Sequence, residues 1–213
     1  MGFQPMKYIY RPSQKPEAHT LLLLHGTGAD ETDLIPLADS FGGDYNLLSL
    51  RGNVSENGMP RFFRRLSMGV FDEEDLHFRT DEMVDFVTKL AQKEGFDSGK
   101  VIALGYSNGA NIAGAALVKH PKFLTGAILF RPMQPFKEMP ESGVNSIPVF
   151  FSSGKFDGTT DTEKTGAYVK TLESNGFAVS FYNMPSGHGL TQQDVDLAGN
   201  WLIDNFRAQL LCF

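Results

Sequence analysis

Residues 101–113 read VIALGYSNGANIA and are the part of the sequence that is most informative about the fold. Its first four residues are all apolar, which is typical of a strand that is covered by helices on both faces. Two glycines then flank a serine, and the residues beyond them suit a helix. The stretch therefore predicts a buried strand, a tight turn that carries Ser107, and a helix that starts directly after it.

Strands and helices alternate along the rest of the chain as well. Short β-rich apolar runs predict seven strands, at residues 6–10, 20–24, 46–50, 101–105, 126–130, 147–151 and 178–184. Helical spacing predicts five helices, at residues 31–41, 78–95, 108–119, 162–175 and 190–208. This alternation implies an α/β fold with a mostly parallel, doubly wound sheet of about seven strands. Ligands of such a sheet bind beyond the carboxyl ends of its strands.

The length and composition suit one globular domain that spans residues 1–213. The chain has 41% hydrophobic and 21% charged residues, and 213 residues are enough to bury a sizeable core. No repeat or Pro/Gly-rich linker divides it. The longest segment without clear periodicity covers residues 51–77 and follows a strand end, so we expect it to roof the site.

The charge and cysteine content limit the cellular setting and the partners. The single cysteine, Cys212, fits a reducing compartment, and no apolar run has signal-peptide or bilayer-spanning length, so a cytoplasmic location is expected. The net charge is −6, and the basic run RFFRR at 61–65 is balanced by DEED at 72–75, which argues against nucleic acid. The apolar end LLCF at 210–213 is expected to dock on the domain or to form a subunit contact in a homodimer.

Ser107 is the expected nucleophile. The five-residue pattern GYSNG at 105–109 is short enough to arise by chance, and a plain reading is a helix start that Ser107 caps. The preceding strand and the following helix favour a nucleophile, because this sharp turn lifts the serine Oγ out of the sheet. Gly105 and Gly109 let strand and helix approach closely enough.

A serine needs a histidine to accept its proton and a carboxylate to orient that histidine. His188 follows the last strand between two glycines and is the expected base; His19, His25, His77 and His120 are expected to have structural or solvated roles. Asp157 follows the strand at 147–151 and is the expected acid. Asp161 lies four residues further on and is expected to cap a helix instead.

An ester carbonyl that is attacked becomes an oxyanion and needs preorganised donors. One expected donor is the backbone N–H of Asn108, directly after the nucleophile. The other is the N–H of Thr27 in the glycine-bearing turn after the strand at 20–24, with Gly28 as the alternative. This turn lacks the Lys-Ser/Thr ending of a phosphate-binding loop, which excludes that interpretation.

These pieces together resemble the carboxylesterase, lysophospholipase and acyl-protein thioesterase branch of the α/β-hydrolases, over almost the whole chain. The matching pieces are LHGTG at 24–28 with Asp30, GYSNGA at 105–110, SG at 153–154 with Asp157, and GHG at 187–189. The runs LRGNV at 50–54, NGMPRFF at 57–63 and LFRPM at 129–133 resemble a bacterial subgroup of esterases, some linked by name to hydroquinone resistance. One departure is DGTT at 157–160, where relatives more often follow the acid with proline or apolar residues.

The resemblance implies an α/β-hydrolase fold and an acyl hydrolase that uses no metal and no cofactor. It implies Ser107, Asp157 and His188 as the triad, with Thr27 and Asn108 as oxyanion donors. The expected reaction is the hydrolysis of a small-molecule ester or thioester through an acyl-enzyme. A lactone or C–C bond hydrolase on the same fold stays open, and a non-catalytic binding protein is the alternative from another class.

Four residues are expected to line the substrate pocket. Met59, Phe62 and Phe63 lie in the long loop and could contact an acyl group, although adjacent aromatics in a loop also form its own small core. Arg131 ends an apolar strand at the ligand-binding edge. It is expected either to bind a substrate carboxylate or to hold a wall of the pocket through an Asp or Glu.

Overall fold

The computed structural model of the protein describes residues 2–141, 143 and 146–207. Its strands, in chain order, are β1 (Tyr8–Arg11), β2 (Thr20–Leu24), β3 (Asn46–Leu50), β4 (Val54–Glu56), β5 (Met59–Arg61), β6 (Arg65–Ser67), β7 (Val70–Phe71), β8 (Val101–Tyr106), β9 (Gly126–Phe130), β10 (Ile147–Gly154) and β11 (Phe177–Met184). Its helices are α1 (Ile35–Asp39), α2 (Glu73–Glu94), α3 (Asn108–Lys119), α4 (Thr162–Ser174) and α5 (Gln192–Leu202), and a π-helical turn follows at Ile203–Arg207.

One seven-stranded sheet forms the centre of the protein, in the order β1-β3-β2-β8-β9-β10-β11. Only the edge strand β1 runs antiparallel to its neighbour, and every other pairing is parallel. This confirms the mostly parallel sheet of seven strands that the sequence predicts. The carboxyl ends of β2, β8 and β10 consequently lie at one edge of the sheet, which is where the expected site residues follow each strand.

The core lies on both faces of the sheet, and this explains the continuous apolar runs. Alternate residues of a strand point to opposite faces. Leu22 and Leu24 of β2 therefore join the cluster that includes α2, α3 and α4, whereas Leu21 and Leu23 join the cluster that includes α1 and α5. All four side chains are completely buried. A strand that packs against helices on both faces has no polar side to show.

Residues 51–77 are more regular than their sequence suggests. They form two short antiparallel hairpins, β4 with β5 and β6 with β7, and they lead into α2. This helix begins at Glu73 rather than at residue 78, because the Asp72 side chain accepts a hydrogen bond from the Asp75 N–H and caps it. Three acidic residues in the first turn also suit the positive end of a helix dipole.

The helix ends differ from the predicted ranges at both ends of the chain. The helix expected at 31–41 is only α1, with turns before it and Pro36 in its first turn. The last helix stops at Leu202 before the π-helical turn, and its predicted end at residue 208 lies outside the described residues, as do Cys212 and the apolar end 210–213. Within the described residues, no helix is long and apolar enough to cross a membrane.

Candidate active site

Ser107 lies on a strained turn between β8 and α3. Its backbone has φ 51° and ψ −111°, a conformation that L-residues rarely adopt, and its N–H donates to the Phe130 carbonyl at 2.9 Å. A Cβ on Gly105 would collide with the backbone of Gly109 and Ala110, and one on Gly109 would collide with the Leu24 carbonyl. The two glycines thus permit the close approach of strand and helix that places the serine above the sheet edge.

Three side chains from three strand-end loops form a continuous series of hydrogen bonds. The Ser107 Oγ lies 3.0 Å from Nε2 of His188, and the His188 Nδ1 lies 2.7 Å from Oδ2 of Asp157. The Asp157 side chain is fully buried, whereas the His188 ring is 31% exposed. With the proton on Nδ1, the histidine donates to the carboxylate and leaves Nε2 free to accept the serine proton.

Thr159 supports the carboxylate of Asp157. Its N–H and its Oγ1 both donate to Oδ1, at 2.8 and 2.6 Å, and Oγ1 also lies 2.9 Å from the His188 Nδ1. Burial raises the pKa of Asp157, but the hydrogen bonds from Thr159 and His188 outweigh burial, and the net shift is downward. Sequence reasoning missed Thr159, although it lies in the DGTT run that departs from the related pattern.

The two expected oxyanion donors line the same cleft as Ser107. The backbone N–H groups of Thr27 and Asn108 have no hydrogen-bond acceptor among the described residues. Gly28 is less suited to the role, because its N–H already donates to the Pro60 carbonyl at 2.9 Å. Both donors are braced through their side chains: the Thr27 hydroxyl accepts from Arg61 at 2.8 Å, and the Asn108 Oδ1 accepts from the Phe62 N–H at 2.8 Å.

The other histidines have contacts that suit structural roles. His25 is buried, its Nδ1 lies 2.6 Å from the Gly26 carbonyl, and its Nε2 accepts from the Gly52 N–H at 3.1 Å. Neither of its ring nitrogens is therefore free to act as a base. The remaining three contact residues away from Ser107: His19 packs on Phe206, His77 stacks on Phe136, and His120 pairs with Asp81.

Arg131 holds the loop that carries His188. Its buried guanidinium pairs with both carboxylate oxygens of Asp194 at 2.8 Å, bonds the Ser152 Oγ, and donates to the carbonyls of Gly187 and Gly189 at 3.2 Å. Two roles were expected for Arg131. Its contacts are those of the second role, in which it holds a wall of the pocket through an acidic residue, here Asp194. Burial raises the pKa of Asp194, but hydrogen bonds from Arg131 and Ser152 outweigh it, so the pKa is lowered overall.

The cleft around the serine has a volume of about 280 Å³. Its lining residues come mainly from the hairpin of β6 and β7, from the turn that carries Ser107 and from the loop after β9. They are Thr27, Arg61, Arg65, Met68, Gly69, Phe71, Tyr106, Ser107, Asn108, Asn111, Arg131, Met133, Thr159 and His188.

Phe62 and Phe63 do not reach this cleft, contrary to expectation. Both are buried, with the Phe62 ring 4.8 Å from the His25 ring and the Phe63 ring 5.0 Å from the Phe71 ring. They belong to the core beneath the two hairpins, which is the alternative the sequence left open. Met59 also lies outside the lining of the cleft; it is 40% exposed and its side chain lies next to Gly28.

Within residues 2–141, 143 and 146–207, no group of three or more His, Cys, Asp or Glu side chains could hold a metal ion. A serine on a strained strand-to-helix turn, followed along the chain by an acid and a histidine on later strand-end loops, defines the α/β-hydrolase class.

Comparisons with known proteins agree with this class. The profile of the phospholipase/carboxylesterase family matches residues 7–203, so the chain belongs to this family. This chain is 44% identical over 196 residues to the putative hydrolase MhqD of Bacillus subtilis. The alignment covers 92% of this chain and 97% of MhqD.

Two solved structures have nearly the same fold. The Bacillus cereus carboxylesterase is 40% identical, with a TM-score of 0.90 and coverage of 94% of this chain and 95% of that one. The structure of YahD with malic acid is 32% identical, with a TM-score of 0.89 and coverage of 94% and 99%. The family and these related structures show that this chain is an α/β-hydrolase enzyme that cleaves esters.

Proposed function

We propose that the chain hydrolyses small to medium carboxylic esters, or thioesters, through an acyl-enzyme formed on Ser107. The observation that carries this proposal is the series of hydrogen bonds from the Ser107 Oγ through His188 to Asp157, at 3.0 and 2.7 Å. Ser107 and His188 line a cleft that Thr27 and Asn108, the proposed oxyanion donors, line as well. This arrangement supports the roles that we propose: Ser107 as the nucleophile, His188 as the base and Asp157 as the acid.

The first half of the reaction forms the acyl-enzyme. His188 Nε2 accepts the Ser107 proton while Oγ attacks the carbonyl carbon of the substrate. The carbonyl oxygen becomes an oxyanion, and the N–H groups of Thr27 and Asn108 donate to it. His188 then gives the proton to the leaving alkoxide or thiolate, the C–O or C–S bond breaks, and the alcohol or thiol departs.

The second half uses water and regenerates the enzyme. His188 accepts a proton from water, the resulting hydroxide equivalent attacks the acyl carbon, and the same two N–H groups receive the second oxyanion. The proton returns from His188 to the Ser107 Oγ as the ester bond to the enzyme breaks, and the carboxylic acid leaves. Asp157 remains ionised throughout and stabilises the charged histidine.

The size of the cleft supports small to medium substrates. A volume of about 280 Å³ lies just below the range of about 300–1,000 Å³ that is usual for small-molecule pockets. Met68, Phe71 and Met133 supply apolar lining, and Arg61 with Arg65 supplies charged lining. A long straight acyl chain would have to extend out of this cleft.

The cellular setting and the partners also belong to this proposal. One cysteine in 213 residues supports a reducing, cytoplasmic location, and the expected partner is a small-molecule ester rather than nucleic acid. Cell fractionation followed by immunoblotting tests the location. Light scattering of the purified chain tests for the homodimer, and a monomer at all concentrations would contradict that part.

A panel of 4-nitrophenyl esters of increasing acyl length tests the reaction, with a thioester and a lactone of matched size beside it. We expect turnover of the short and medium esters. Ser107→Ala should lower kcat by at least about 10⁴-fold, because no other group replaces the nucleophile. The matched control is Ser55→Ala, an exposed serine of β4 that should keep full activity. Equal turnover by Ser107→Ala would overturn the proposal.

A further inference from the structure

The charged lining of the cleft has one sign. Three arginines line it, namely Arg61, Arg65 and Arg131, and no Asp or Glu is among its described lining residues. The chain as a whole carries a net charge of −6, so an arginine-lined cleft contrasts with the average surface. The excess of cationic groups therefore calls for a local explanation.

Arg131 does not supply that explanation. Its guanidinium is fully buried and is already engaged with Asp194, Ser152, Ser186 and two backbone carbonyls. The Asp194 carboxylate accepts from the Arg131 guanidinium through both of its oxygens, so the two opposite charges cancel. The uncompensated charge must come from the other two arginines.

Arg61 and Arg65 share a single carboxylate. The Glu56 Oε1 accepts from Nε of Arg65 at 2.9 Å, and its Oε2 lies 3.2 Å from Nη1 of Arg61. Two guanidinium groups and one carboxylate leave one positive charge beside the cleft. Burial lowers the pKa of Arg61, and the like charge of Arg65 adds to that effect, as expected for neighbouring cations that one acid only partly compensates.

Both arginines have donors to spare. The Nη1 of Arg65 contacts only the sulfur of Met68 at 3.3 Å, which is a weak acceptor. Within the described residues, Nη2 of Arg61 and Nη2 of Arg65 donate to no group. The Arg61 side chain is 4% exposed and that of Arg65 is 21% exposed, so the charge is held in a partly desolvated place where it acts strongly.

We propose that this cleft selects esters that carry a carboxylate, and that Arg65 together with Arg61 binds that carboxylate while Ser107 attacks the ester. The inference rests on the proposed function and names its substrate class. A guanidinium matches a carboxylate in shape and charge, and its hydrogen bonds to an ionised partner are stronger than neutral ones. Neutral esters of the same size leave the spare donors without an ionised partner, so they bind less well.

Two matched pairs of esters test this selectivity. In the first pair the charge is on the acyl side: 4-nitrophenyl hydrogen adipate against 4-nitrophenyl hexanoate. In the second it is on the leaving-group side: 4-acetoxybenzoate against 4-acetoxybenzamide. We expect kcat/KM of the anionic ester to exceed that of its neutral partner by about tenfold in at least one pair, as one charge-assisted hydrogen bond would give. The pair of esters that shows this preference identifies whether the carboxylate belongs to the acyl group or to the leaving group of the substrate.

Substitution of Arg65 tests the assignment of the residue. Arg65→Gln should lower the anionic-to-neutral ratio of kcat/KM about tenfold, with most of the change in KM, and Arg65→Lys should retain an intermediate ratio because it keeps the charge. The matched control is Arg64→Gln. Arg64 is adjacent in sequence, 57% exposed and paired with Asp72 rather than directed to the cleft lining, so its loss should leave the ratio unchanged.

A wild-type ratio of one or less in both pairs would overturn the inference, and this holds even if Arg65→Gln does not fold. A high ratio that survives in Arg65→Gln would overturn the role of Arg65. If neutral esters are cleaved in a Ser107-dependent manner while no preference is found, the inference fails and the proposed reaction stands. If no ester of either kind is cleaved, the proposed function fails and the inference fails with it.

Discussion

Asp157 is held from two directions, and this distinguishes it from the other acid of the same loop. Its Oδ2 faces His188 and its Oδ1 accepts twice from Thr159, so both oxygens are used within a buried site. Asp161 instead accepts from the N–H groups of Glu163 and Lys164 at the start of α4. At the scale of the residue, the two acids therefore have separable roles.

We predict that Asp157→Asn lowers kcat by about 10³- to 10⁴-fold, because an amide no longer fixes the histidine tautomer that can accept the serine proton. Asp161→Asn is the matched control. Asparagine caps helices about as well as aspartate, so both activity and stability should stay near those of the wild type. Steady-state kinetics of the two variants measures this, and a larger loss in Asp161→Asn would mean that the acid is assigned wrongly.

The residues of the triad could be proposed from the sequence because each follows a strand end in a glycine-containing turn. The same logic did not identify the pocket. Phe62 and Phe63 belong to the correct segment, but they lie in the link between the two hairpins, where both side chains are buried. The sequence of such a short link shows no period that would indicate which side chains face the core. Arg61 and Arg65 of the same segment line the cleft instead.

At the scale of the element, the loop that carries His188 is fixed to α5. The Asp194 carboxylate accepts from Thr191 in a capping box at the start of α5 and, at the same time, pairs with Arg131. Arg131 in turn donates to the carbonyls on both sides of His188. The helix cap and the position of the histidine thus depend on one buried ion pair.

We predict that Asp194→Asn lowers the free energy of unfolding by about 3–5 kcal/mol, since it leaves the buried Arg131 without its counter-charge. Asp196→Asn provides the control on the same helix, because Asp196 is exposed and, among the described residues, accepts only from Gln192. Its change should stay within about 0.5 kcal/mol. Urea denaturation of both variants checks this, and equal stability of the two would contradict the role given to the pair.

The elements themselves were mostly predictable, and the exceptions have local causes. Continuous apolar runs mark β2 and β8 because both faces of the sheet are covered. The early start of α2 depends on the cap by Asp72, whose acidic neighbours read equally well as a solvated loop. The two hairpins are too short for a visible period-two pattern, so residues 51–77 looked irregular.

At the scale of the whole molecule, one sheet contains strands from residue 8 to residue 184. Contacts also join distant parts of the sequence: the Arg207 guanidinium donates to the Phe41 carbonyl at 3.0 Å and pairs with Asp44. The sheet and such contacts should make unfolding respond to conditions as one unit.

Acid should destabilise this unit. The pKa values of Asp81, Asp157 and Asp194 are all lowered in the folded chain, because hydrogen bonds from their partners outweigh burial. As pH falls through the ordinary value of 3.8, the unfolded chain binds protons first, so stability that is complete above that value is lost progressively below it. Urea midpoints should therefore fall between pH 5 and pH 3, with most of the fall below about pH 4. A midpoint that stays constant or rises over this range would contradict the prediction.

Covalent labelling is a stringent test of Ser107 as the nucleophile, because a fluorophosphonate reacts with an activated serine. A fluorophosphonate probe should add to the native chain once, and peptide mass spectrometry should locate the adduct on Ser107. The adduct should be absent from Ser107→Ala and present in Ser55→Ala. An adduct that persists in Ser107→Ala, or that maps to another residue, would mean that Ser107 is not the nucleophile.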